Sequence, residues 1–107
     1  MRYEIKILSS KRPLPTIIFP DKRYELVSSF FLAEGRNFGA EILAALRKVL
    51  RRESEKEIFA GNVFSLEIAL PLTKVFDDME DRECEILTED LAELAEAYWR
   101  ECQKTIA

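Results

Sequence analysis

The chain has 107 residues, 48% of them hydrophobic and 34% charged, with three glycines, four prolines and a net charge of −4. That length suits one domain with one core, and the composition excludes a disordered or low-complexity chain. The charge is unevenly spread: residues 1–74 carry 13 basic and 9 acidic side chains (+4), whereas residues 75–107 carry 3 basic and 11 acidic (−8), which favours partners of positive charge.

Taken in order, residues 3–8 alternate Tyr3, Ile5 and Ile7 against Glu4, Lys6 and Leu8, the period of a strand with one buried face. Lys11-Arg12-Pro13-Leu14-Pro15 should break it as a loop, because each proline fixes its own backbone angle and restricts its predecessor. Thr16-Ile17-Ile18-Phe19, closed by Pro20-Asp21, reads as an edge strand or a buried loop. Residues 24–33, YELVSSFFLA, are rich in aromatic and β-branched side chains and predict a long strand, although Leu26, Phe30 and Ala33 could share a helix face. Glu34-Gly35-Arg36-Asn37 is expected to turn, with Asn37 capping a helix over about residues 38–53. Its stripe would be Phe38, Ile42, Leu46, Val49 and Leu50, with Leu43 at the edge.

A charged connector over residues 53–57 leads into Ile58-Phe59-Ala60 and a Gly61-Asn62 turn, which together predict a hairpin with the next strand. That strand is the clearest in the chain. Phe64, Leu66, Ile68 and Leu70 share one face while Val63, Ser65, Glu67 and Ala69 share the other, until Pro71 ends the ladder. Further strands are expected over residues 72–76 and 84–88, separated by an acidic loop. Thr88-Glu89-Asp90 then marks a helix start, with a hydroxyl able to accept from the first turn and two acids at the positive dipole end. The stripe that follows is Leu91, Leu94, Ala95, Tyr98, Cys102 and Ile106, with Trp99 at its margin. The fold class implied is α+β: an antiparallel sheet of about four to six strands with two amphipathic helices packed on it.

No apolar run approaches the ~20 residues that cross a bilayer, and Met1-Arg2-Tyr3-Glu4 does not lead into a signal-peptide core, so a cytoplasmic protein is expected. Cys84 and Cys102 are too few for a disulfide framework, have no metal-ligand spacing and read as reduced thiols. With no histidine there is no common general base or zinc ligand, and Gly35-Arg36-Asn37-Phe38-Gly39 lacks the third glycine of a phosphate-binding turn. Neither catalysis nor a cofactor is expected. The run Asp77-Asp78-Met79-Glu80-Asp81-Arg82-Glu83 fails as a calcium loop, because Met79, Arg82 and Thr88 stand where an oxygen ligand, a glycine and a glutamate are needed. Its better use is to meet a basic protein, and Asp77, Asp78, Glu80, Asp81, Glu83 and Glu85 are the candidate contact residues. A basic helix face, Arg47, Lys48, Arg51 and Arg52, offers a nucleic-acid alternative that the overall acidity opposes.

Residues 61–103 run through a Gly61-Asn62 turn and a strand with Phe64, Ser65, Glu67 and Ile68. A strand with Thr73 and Val75, the acidic segment, and Thr88-Glu89 opening a helix with Leu91, Leu94 and Trp99 follow. This order resembles small bacterial immunity proteins, including those of contact-dependent growth-inhibition systems. The resemblance implies a single α+β domain that binds and neutralises a cognate toxin, often a basic nuclease, here through the acids of residues 77–85. A regulatory or assembly module, including a dimeric one, stands as the alternative.

Overall fold

The computed structural model describes residues 1–8 and 14–106, and its elements make an α+β fold. Strands β1 (Glu4–Leu8) and β2 (Leu14–Ile18) form an antiparallel hairpin. An interrupted helix follows, made of α1 (Glu25–Phe30), one wide π turn (Phe31–Gly35) and α2 (Arg36–Leu50). Strands β3 (Glu57–Ala60), β4 (Phe64–Ile68), β5 (Leu72–Asp77) and β6 (Arg82–Leu87) then make an antiparallel meander, and α3 (Thr88–Ile106) closes the chain.

The meander has one apolar face. Across the sheet, Phe59, Leu66 and Val75 lie in register, as do Ile68, Thr73 and Ile86, and all six are buried. The helices pack on that face, so period-two alternation in the strands meets helical stripes in one core. Ile58, Lys74 and Glu85 alternate to the other face and are exposed.

Residues 24–33 correct the sequence reading: they do not form a strand. As a strand they would place Phe30 and Phe31 on opposite faces, and both faces would need cover. In the helix Leu26, Val27, Phe30 and Phe31 turn inward together, and all four are buried. Packing of the stripe outweighs the β propensity of its residues. The expected turn at Glu34-Gly35-Arg36-Asn37 is likewise helical, and Asn37 caps nothing because it lies inside α2. The helix does bend at Phe38, whose φ of −122° and ψ of 18° leave the helical region. It ends at Leu50, earlier than expected, with Arg52 at φ 60° and the Glu53 amide donating back to the Lys48 carbonyl.

Gly35 and Gly39 sit one turn apart where α2 crosses α3. A Cβ on Gly35 would run into the Tyr98 ring, and one on Gly39 into the Trp99 indole. The glycines therefore belong to a helix seam. On α3 the stripe stands as expected, with Leu91, Leu94, Ala95, Tyr98 and Cys102 buried. The Ile106 side chain lies outside the described residues. Thr88 does open this helix, but its recorded hydroxyl bonds go elsewhere: it donates to the Ala69 carbonyl and accepts from Thr73, 2.8 Å away. Both threonines are buried, so the helix start is stitched to the β4–β5 connection.

Leu14 and Pro15 also depart from expectation, since they belong to β2, while the rest of the expected loop lies outside the described residues. The Pro15 carbonyl accepts from the Tyr98 hydroxyl at 2.8 Å, and the Ile17 carbonyl accepts from Ser28. Side-chain hydroxyls thus occupy acceptors on the helix-facing edge of β2. Burial pushes the Tyr98 phenol far above its ordinary pKa, so it stays a donor across the physiological range.

Candidate functional site

The acidic segment folds as a tight hairpin and not as an open loop. Asp77 pairs with Arg82 at the ends of β5 and β6, leaving Asp78-Met79-Glu80-Asp81 to make the turn. Asp81 takes a positive φ of 54°, a conformation that Asp tolerates better than most residues.

Asp77 organises this turn from beneath. Its Oδ1 accepts from the Met79 and Glu80 amides at 3.0 and 3.2 Å, and its Oδ2 accepts from the Arg82 guanidinium at 2.8 Å. The hydrogen bond from Arg82, with support from the two amides, holds the Asp77 carboxyl below its ordinary pKa. Only 5% of Asp77 is exposed, so among the six residues expected to meet a partner this one is committed to the fold.

The other five lie on the surface. Asp78, Glu80, Asp81, Glu83 and Glu85 are all exposed, with Asp78 accepting from Ser65 at 3.2 Å. Arg82, the cation beside the turn, is drawn inward by Asp77 and sideways by Glu80, 3.2 Å from its Nε, while Lys74 lies farther along β5. Met79 stands among these acids at the tip with 76% of its surface exposed. The hairpin therefore presents an apolar tip ringed by carboxylates. Glu83 lies opposite Phe76 and Glu85 opposite Lys74, carrying the negative charge onto the outer face of the sheet.

A second carboxylate was not expected from the sequence. Glu34, in the π turn, is fully buried and reaches the β3–β4 hairpin, where it accepts from the amides of Asn62, Val63 and Phe64 at 3.0, 2.9 and 2.8 Å. Gly61 lets it approach, because a Cβ there would collide with the Glu34 carboxylate. One signal was present in the chain: Glu34 continues the helical spacing Leu26, Phe30.

Among the described residues no group of His, Cys, Asp and Glu is arranged to hold a metal ion, and no helix is long and apolar enough to cross a membrane. Cys84 and Cys102 are not joined in a disulfide, and burial pushes both thiols up. Arg47, Lys48, Arg51 and Arg52 are exposed at the C-terminal end of α2, where positive charge suits the helix dipole. Arg47 also borders a shallow groove between α2 and α3, with Trp99, Arg100 and Gln103. In comparison with known proteins, no family model matches the chain, and neither a curated protein nor a solved structure matches it significantly.

Proposed function

We propose that the protein is a non-catalytic binding protein that docks a basic protein partner through the β5–β6 hairpin, in the manner of an immunity protein neutralising a toxin. The observation that carries this reading is the division of labour at the hairpin. Asp77 and Arg82 fix its shape while Asp78, Glu80 and Asp81 are left at the surface in the turn with Met79, and Glu83 and Glu85 are exposed along β6. A turn held in one conformation loses little entropy on binding, and exposed acids accelerate encounter with a cationic surface. Met79 supplies an apolar anchor of the kind that sits at the centre of an interface.

The test is titration calorimetry at two salt concentrations against the product of the adjacent reading frame. The variant carries Asp78→Asn, Glu80→Gln, Asp81→Asn, Glu83→Gln and Glu85→Gln. Weakened binding with a flatter salt dependence, at unchanged melting temperature, supports the reading. Unchanged affinity would remove the hairpin from the interface, and binding of RNA or DNA lost on replacing Arg47, Lys48, Arg51 and Arg52 would favour the nucleic-acid alternative instead.

A further inference from the structure

β1 is an edge strand whose outer side has no strand partner among the described residues. Its pairing with β2 fixes which backbone groups face outward. Pro15, opposite Ile7, has no amide hydrogen, and its carbonyl and that of Ile17, opposite Ile5, already accept from Tyr98 and Ser28 on the far side. Ile5↔Ile17 and Ile7↔Pro15 are thus the pairs that exchange no ladder bonds, and the N–H and C=O groups of Ile5 and Ile7 point to the free edge. By alternation the groups of Tyr3 point the same way.

The side chains of this edge are self-complementary. Glu4 and Lys6 project to one face, 3.8 Å apart and well exposed, while Tyr3, Ile5 and Ile7 line the other, with 46% of Ile7 uncovered. Two copies of the edge laid antiparallel about a two-fold axis at Ile5 bring Tyr3 opposite Ile7, Glu4 opposite Lys6, and Ile5 opposite itself. In that register the outward amides and carbonyls of Tyr3, Ile5 and Ile7 meet in bonded pairs. Glu4 and Lys6 fall at the non-bonded positions, where side chains come closest. The neighbouring registers are worse. A two-fold axis at Glu4 sets Glu4 against Glu4, and one at Lys6 sets Lys6 against Lys6, and like charges directly opposite repel.

We propose that β1 pairs with the β1 of a second copy of this chain in that register, giving a continuous four-stranded sheet β2-β1-β1-β2. The occupant is specified by the ionic order of the strand, which matches its own reverse. The contact lies on a different element from the acidic hairpin and does not depend on it.

Sedimentation equilibrium of the full chain across a concentration series, at low and high salt, tests the idea. Lys6→Glu or Glu4→Lys alone should weaken dimerisation by about tenfold or more, since each creates two opposed like-charge pairs. Glu4→Lys with Lys6→Glu together should restore it. Ile5→Pro should abolish it while leaving the β1–β2 ladder intact, because the lost amide hydrogen points away from β2. A chain monomeric at millimolar concentration would overturn the proposal, as would a dimer indifferent to Ile5→Pro. Failure of the charge-swapped double variant to recover would overturn the register.

Discussion

Two hairpin turns in this protein are each organised by a single carboxylate, but the carboxylates come from different distances. In the β5–β6 turn Asp77 belongs to the strand it caps, binds amides two and three residues away, and leaves its neighbours at the surface. In the β3–β4 turn Glu34 comes from the helix, 28 to 30 residues earlier in the chain, and is buried in the core. The first arrangement draws its hydrogen-bond partners from within five residues of the chain and leaves the turn open to a partner. The second is a tertiary clamp joining helix to sheet, whose three amides must give up water for the Glu34 carboxylate as the core assembles.

The comparison is broken most severely at Glu34. Glu34→Ala leaves three amides without their acceptor and should cost about 3–5 kcal/mol, read by urea denaturation. Gly61→Ala attacks the same clamp by crowding the carboxylate and should cost roughly 1–3 kcal/mol in the same assay. If either leaves stability unchanged, the clamp does not hold helix to sheet.

Asp77→Asn should cost less, and its effect should depend on pH. The folded pKa of Asp77 lies below the ordinary value of 3.8, so its stabilisation is fully present above that value and is lost as pH falls through the lowered one. The melting-temperature gap between wild type and Asp77→Asn should therefore be constant at neutral pH and close below about pH 3.8. A gap that persists in strong acid would mean that the ionised carboxylate is not what holds the turn. The smallest effect is expected for Asp81→Gly, which relieves a positive φ at a residue type that already tolerates it: a gain under about 1 kcal/mol.

The same contrast explains what the sequence made legible. The β4 alternation and the α3 stripe were readable because a period is a local signal, whereas the acidic run read as a loop although Asp77, Arg82 and Glu83 belong to the paired strands. Residues 24–33 were misread as a strand because Phe30 and Phe31 satisfy β propensity, and only the core shows that both face inward. Asp77 was grouped with the partner-contact acids of the segment and could not be told from them, since its burial and its bonds to Arg82 and the turn amides exist only in the folded hairpin. Glu34 was assigned to a turn, because in one dimension a carboxylate beside a glycine reads as a loop. The amides that donate to it lie in a hairpin that the chain has yet to reach. Thr88 opened its helix as expected, yet its hydroxyl joined Thr73 and Ala69 for the same reason: partners brought by topology are invisible to spacing.

The seam of Gly35 and Gly39 against Tyr98 and Trp99 has an optical consequence. Trp99 is the chain's single tryptophan, and its indole rests on Gly39 at the crossing of the two long helices. Its emission therefore reports on that crossing and the groove beside it: the colour should change when the helices part, whereas a partner held at the hairpin tip should bind without altering it.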